Sequence, residues 1–224
     1  MSIVIPQKRQ PRKGVQKRLR RTPEEARGLA LVSARTLLLV HGPDAITLQA
    51  VASDLGMSHT NLIHHFGSAA GLQTALMREM VSELTATIES AVMRLRAGQG
   101  DVRDFVDIVF DAFDKGGAGQ LAAWIVLCGE SDHLAPVGEV VRNYVQNVER
   151  GAHGPPEDVH ERITSATLLV TMAAFGDAVI GDSLGSMVGR ERGAVRKIIA
   201  DLLPLLLAQV PATQATGRKS GKKS

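Results

Sequence analysis

The side chains most able to do chemistry here are His59, Thr60, Asn61, His64 and His65, five polar residues within the seven positions 59–65. Asn and Thr hydrogen-bond base edges and His meets bases or phosphates, so the cluster suits the reading of DNA in a major groove. A second set is the acidic row Asp104, Asp107, Asp111 and Asp114, which at a helical period falls within an arc of roughly 80°. Hard cations need ligands converging from more than one element, so this row is expected to be a solvated face. Cys128 with His133 has the residue types of a nucleophile and its base. No strained turn or orienting third group goes with them, and a buried core thiol is expected. His133, His153 and His160 fall in or beside loops at spacings that match no zinc site. We therefore assign no catalytic residue, metal site or cofactor.

The polar cluster needs a scaffold, and residues 46–66 supply one as two short helices around a tight turn. Thr47 can cap a helix over 48–55 that puts Leu48, Val51, Ala52 and Leu55 on one face. Gly56 ends it as a residue free to take positive φ. Ser58 can cap a second helix, 59–66, expected to bury only Leu62, Ile63 and Phe66. Ala52 and Gly56 are small where the two helices must pass, and Leu62 fills the corner. This is a helix-turn-helix arrangement with His59, Thr60, Asn61, His64 and His65 outward. Thr47, Gln49 and Ser58 join them as candidate DNA contacts.

The flanks extend the pattern. Thr22-Pro23-Glu24-Glu25 is a helix start with a capping box, and Gly42-Pro43-Asp44 breaks that helix after His41. Gly67-Ser68 precedes a helix carrying Leu72, Leu76 and Met80, which runs from about Ala69 to Arg96. Segment 24–84 resembles the DNA-binding domain of the TetR family of bacterial transcriptional regulators. Ala34, Gly42, Ile46-Thr47, Val51-Ala52, Leu55-Gly56, Ser58, Leu62, His65-Phe66 and Leu72 match in that family's order and spacing. The chain departs from it at Ile63, where the family usually has Tyr, and at Ala69, where it usually has Lys. Both usual residues touch phosphate, so the standard backbone anchors are weakened.

Charge is unevenly placed. Of the 26 Lys and Arg residues, eight lie in 1–21 with no acid, Arg18, Arg20 and Arg21 among them, and four lie in 218–223. That leaves 14 cations against 23 acids in between. An acidic body with basic ends suits an anionic partner gripped by the tails, here phosphate or the minor groove beside a reading helix. One cysteine in 224 residues excludes an intrachain disulfide and points to a reducing compartment. No apolar run is expected to span a bilayer and no signal peptide is read, so a bacterial cytoplasmic, nucleoid-associated protein without a membrane partner is expected.

Beyond the fourth helix the pattern stays helical, with breaks at 97–100, 116–117 and 151–156, and no strand pattern or repeat. Segment 157–181 is apolar nearly all round from Ile163, and 190–210 carries a second apolar helix that Pro204 should bend. Their surplus apolar surface predicts a symmetric four-helix dimer interface through Ala166, Val170, Ala173, Ala174, Asp177, Val195, Ile198 and Leu202. An ion partner for Asp177 is expected in Arg192 or Arg196. Phe105, Val109, Phe113, Trp124, Cys128, Tyr144, Met172 and Phe175 hold most of the scarce aromatics and are expected to line a ligand cavity.

The chain thus reads as all-α, with a basic arm (1–21), a helix-turn-helix DNA-binding domain (22–84, reading pair 46–65), a helical ligand-binding and dimerisation domain (85–210) and a basic tail (211–224). The resemblance implies a homodimeric regulator, most simply a repressor released from a palindromic operator by a small apolar effector. A sequence-tolerant DNA-binding protein and an all-helical enzyme are the rival readings.

Overall fold

The first helix begins on a reciprocal cap. The Thr22 hydroxyl accepts from the Glu25 amide at 3.2 Å, and the Glu25 carboxylate accepts from the Thr22 amide at 2.8 Å. A computed structural model describes residues 22–129, 131–152 and 154–209, and among these every regular element is helical. The arm with Arg18, Arg20 and Arg21, the tail 211–224, His153 and the side chain of His133 lie outside the described part. The elements are α1 (Pro23–His41), α2 (Leu48–Leu55), α3 (His59–Phe66), α4 (Ala69–Arg96), α5 (Val102–Phe113), α6 (Ala118–Leu127), α7 (Ala135–Arg150), α8 (Pro156–Gly176), α9 (Asp182–Met187) and α10 (Ala194–Gln209).

Two apolar cores organise them, and α4 belongs to both. In the first, Ala30, Ala34 and Leu38 of α1 pack with Val51 and Ala52 of α2, Leu62 and Phe66 of α3, and Leu72, Leu76 and Met80 of α4. The second gathers Ile88 of α4, Val106, Val109 and Phe110 of α5, Tyr144 and Val145 of α7, Ala166, Val170 and Ala174 of α8, and Ile199 and Leu203 of α10. At 28 residues, α4 is about 42 Å long, enough to cross both. α6 also joins the first core, through Leu121 and Ile125. It also passes so close to the turn that follows α8 that a Cβ at Gly119 would lie 2.7 Å from the Ala178 Cβ.

α8 does not stop at Gly176. It loosens into one π-type turn, Asp177–Gly181, and continues as α9, so one helical rod runs from Pro156 to Met187. By length and composition alone this rod could cross a membrane, contrary to the expectation that no segment could. It packs on α5, α7 and α10. Its inward face also differs from expectation. Ala166, Val170 and Ala174, predicted for a dimer interface, are buried within the chain against α5 and α10. Small side chains let helices of one domain approach closely, and that is their use here. The bulkier side, Met172, Ile180 and Leu184, is the exposed one, together with Ile198, Leu202 and Leu205 of α10. Pro204 lies inside α10, which runs on through it to Gln209.

Candidate nucleic-acid interface and ligand cavity

The α2–α3 pair is set by its caps and its turn. The Thr47 hydroxyl accepts from the Ala50 amide at 3.1 Å and the Ser58 hydroxyl from the Asn61 amide at 3.2 Å. Gly56, at φ 60°, takes the left-handed conformation that turns the chain between them. Three side chains tie the pair to its surroundings. Ser33 of α1 donates to Asp54 of α2 at 2.6 Å, and buried Gln73 of α4 donates to the Ile46 carbonyl at 3.3 Å. Arg27 of α1 donates to the His65 carbonyl at 2.9 Å and lies over the Phe66 ring at 4.6 Å. Arg27 was not singled out from the sequence, since a lone arginine on a helix gives no local signal of a partner 38 residues away.

With Leu62 and Phe66 holding α3 in place, His59, Thr60, Asn61 and His64 stand exposed, as does Gln49 on α2. Thr47 and Ser58 are exposed too, although each oxygen already serves a cap. His65, expected outward, is half-buried, edge-on to Phe66. Ile63, expected to be buried, is 42% exposed. The packed face of α3 runs through Leu62 and Phe66, and Ile63, about 100° round the helix from Leu62, lies at its exposed edge. Ile63 therefore adds an apolar contact to the polar reading surface, suited to a thymine methyl. The surrounding surface holds few cations: residues 22–84 contain only Arg27, Arg35 and Arg78 against Glu24, Glu25, Asp44, Asp54, Glu79 and Glu83. Arg35 is paired with Glu83 at 2.6 Å.

In the second core, α4, α5, α7 and α8 line a half-open cavity of about 410 Å³. Phe105, Val109, Phe113 and Tyr144, predicted as lining, all line it. Trp124, Cys128, Met172 and Phe175 do not. Trp124 sits on α6, whose packing face serves the first core, and Met172 is exposed along the groove between α8 and α10. Cys128 follows the last turn of α6 and is exposed, so the expected core thiol is a surface thiol. Thr85, Thr164, Thr167 and Thr171 supply the polar atoms beside Tyr144. Burial pushes the Tyr144 phenol up to about 12, against a smaller lowering from its hydrogen bond with Thr167, so it remains a neutral hydroxyl.

The acidic row faces solvent, as expected, with the Asp107 and Asp111 side chains 58% and 42% exposed, and it is also ion-paired. Arg196 reaches Asp111 at 2.6 Å and Asp107 at 3.4 Å, and Arg192 reaches Asp114 at 3.2 Å and Asp182 at 3.5 Å. The row clamps α10 onto α5, and Asp104 instead closes the capping box of α5 with Asp101. Burial alone would raise the Asp111 carboxyl, yet hydrogen bonds from Arg196 and Lys115 hold it below its ordinary value. Neither arginine bridges Asp177, contrary to expectation. Burial raises the Asp177 carboxyl, Arg196 counters in part, and Asp114 and Asp182 raise it further.

The same architecture occurs in solved structures. A TetR-family transcriptional regulator from Pectobacterium atrosepticum superposes with a TM-score of 0.55 at 19% identity, over 83% of this chain and 93% of that one. The fatty acid degradation regulator FadR from Bacillus halodurans gives 0.53 at 12% identity, over 83% and 96%. A second TetR-family regulator, from Mesorhizobium loti, gives 0.50 at 14% identity, over 84% and 98%. In sequence, the HTH-type transcriptional regulator BetI of Stenotrophomonas maltophilia is 29% identical over 137 residues, which is 59% of this chain. That match spans 64% of the relative's own length, just under two-thirds. No family model matches the chain.

Proposed function

We propose that this chain, which has the fold of the TetR-family transcriptional regulators, is itself a sequence-specific DNA-binding regulator of transcription, acting in the cytoplasm as a homodimer. The observation that carries this reading is α3: a helix anchored by Leu62, Phe66 and the Arg27 bond, with His59, Thr60, Asn61 and His64 left exposed. A helix so short adds little to the core, and its fixed polar face suits major-groove readout. Residues 22–84 form the reading domain and 85–210 the regulatory one, with the basic ends 1–21 and 211–224 gripping phosphate.

The finer reading is a repressor released from a palindromic operator by a small apolar effector. The cavity supports it, because Val81, Leu84, Thr85 and Ile88 of α4 form one wall. The same helix packs on α1 and α3 at its other end. A ligand that fits one position of α4 better than another shifts the separation of two recognition helices in a dimer, so that they no longer match their half-sites. The exposed side of the α8–α9 rod, with Ile198 and Leu202 of α10, is the surface offered for dimerisation.

The cation-poor reading domain beside strongly basic ends favours one second reading, a protein that binds DNA without sequence preference. Selecting bound fragments from a genomic DNA pool, then comparing the selected site with its scrambled version at physiological salt, separates the two. A regulator should prefer its site by about 10³ or more. Equal binding to both would overturn the regulator reading.

A further inference from the structure

Taking α3 as the helix that reads DNA, we propose that the bases it meets are those of A·T pairs: an adenine read by Asn61 and a thymine read by Ile63. The two side chains stand about 160° apart round the helix, with Thr60 and His64 between them. They therefore hold opposite edges of the exposed face and meet different bases.

Thr47 and Ser58 each spend their hydroxyl on a cap. Asn61 takes part in the second of these caps through its backbone amide alone, and its side chain makes no hydrogen bond to any described residue. That free amide presents a donor and an acceptor side by side, which match the N7 and N6 amino group of adenine. Against guanine, whose N7 and O6 are both acceptors, the amide oxygen would face a second acceptor. Ile63 is 42% exposed and brings only hydrocarbon. Of the four bases, thymine alone puts a methyl group in the major groove. Opposite cytosine or guanine, Ile63 would strip a polar base edge of water and return no hydrogen bond. Guanine is most often read by Arg or Lys, bidentate to O6 and N7. Residues 48–66 contain neither. Arg27 and Arg35 belong to α1 and are already bonded, to the His65 carbonyl and to Glu83, and Arg78 belongs to α4. The two ring nitrogens of an imidazole point apart, so neither His59 nor His64 can grip guanine O6 and N7 together.

The test selects sites for the full chain from a random duplex pool, then measures binding to the preferred site carrying base analogues one position at a time. Deoxyuridine in place of thymidine removes only the 5-methyl group, and 7-deazaadenine in place of adenine removes only the N7 acceptor. At one thymine of each half-site, deoxyuridine should weaken binding about fourfold, and that loss should vanish in Ile63→Ala. At one adenine, 7-deazaadenine should weaken binding at least about fivefold, and that loss should vanish in Asn61→Ala. Ile63→Val, which keeps a branched apolar contact, should retain the deoxyuridine effect. Leu62 and Phe66 remain as the anchors of α3 in all three variants, and Ile63→Ser replaces Ile63→Ala should the latter lose helical signal. G·C pairs at the positions where Ile63→Ala and Asn61→Ala lose discrimination would overturn the proposal and leave a sequence-specific regulator standing. Analogue losses that persist in the variants, or no loss at any thymine or adenine, would do the same. A selected site bound no tighter than its scramble would overturn the regulator reading, and the base assignment with it.

Discussion

Arg196 on α10 reaches Asp111 on α5 at 2.6 Å and lies 5.4 Å from the centre of the Phe110 ring, so one side chain is both ion partner and packing surface. Its side chain is 27% exposed, whereas that of Arg192 is 70% exposed. The two clamps should therefore differ in worth. Arg196→Ala should cost about 1–2 kcal/mol in chemical denaturation, and Arg192→Ala no more than about 0.5 kcal/mol. Because the Asp111 carboxyl is held low, its contribution is present above the unfolded carboxylate pKa and fades as pH falls through the lower folded value. The gap between wild type and Arg196→Ala should accordingly close in acid. Equal costs for the two arginines, or a gap that widens in acid, would contradict this division.

Dimerisation is predicted through the exposed side of the α8–α9 rod and α10. Leu184, Ile198 and Leu202 are 51%, 43% and 47% exposed in the single chain, so arginine at any of them leaves the monomer core alone. Leu184→Arg and Leu202→Arg should give folded monomers in sedimentation velocity. Ala174, 1% exposed, is the contrast: Ala174→Arg should lose helical signal because it forces a charge into the second core. Leucine variants that stay dimeric would place the interface elsewhere.

The helices were legible because their ends are chemical. Thr22 with Glu25, Thr47, Ser58 and Gly56 each mark a boundary through one hydrogen bond or one backbone angle, and the starts of α1, α2 and α3 and the end of α2 follow from them. Faces were legible only where periodicity is one-sided, as in α2. The rod from Pro156 is apolar all round, so nothing local distinguishes close packing inside the domain from close packing between chains, and Ala166, Val170 and Ala174 were placed on the wrong side. The π-type turn at Asp177–Gly181 leaves no mark in the pattern either. For the cavity, the aromatics of α5 and α7 were found, but Trp124 and Cys128 were misplaced because α6 packs into the first core. That allegiance depends on contacts distant in sequence.

Tyr144 is the sole tyrosine, so ultraviolet phenolate absorbance reports it alone. Its pKa, pushed up to about 12 by burial, lies above the ordinary value of 10.0. The fold therefore favours the neutral phenol. This contribution is complete below the unfolded value and is lost as pH rises through the folded one. Native protein should show its phenolate midpoint well above that of the same chain in denaturant, and stability should decline across the interval between them. Tyr144→Phe should remove that decline and cost about 1 kcal/mol at neutral pH through the lost bond to Thr167. Coincident midpoints would mean that Tyr144 faces water and does not line a sheltered cavity.

DNA binding should divide between α3 and the arm. The reading domain offers Arg27, Arg35 and Arg78 as its cations; Arg27 is bonded to the His65 carbonyl and Arg35 to Glu83. Ile63 and Ala69 stand where the family resemblance leads one to expect phosphate-touching residues. The eight cations of residues 1–21 are the available substitute, Arg18, Arg20 and Arg21 nearest the folded domain. Each phosphate neutralised contributes roughly −0.9 to the slope of log K against log salt. Deleting residues 1–20 should flatten that slope by several units and weaken specific and scrambled duplexes alike. Asn61→Ala should leave the slope nearly unchanged and cost about 1–3 kcal/mol on the preferred site alone, with His59→Ala, Thr60→Ala and His64→Ala following more weakly. A salt titration of both variants on one selected site and its scramble decides the matter. A deletion that costs only specificity, or an Asn61→Ala change that costs only slope, would reverse the roles assigned to arm and helix.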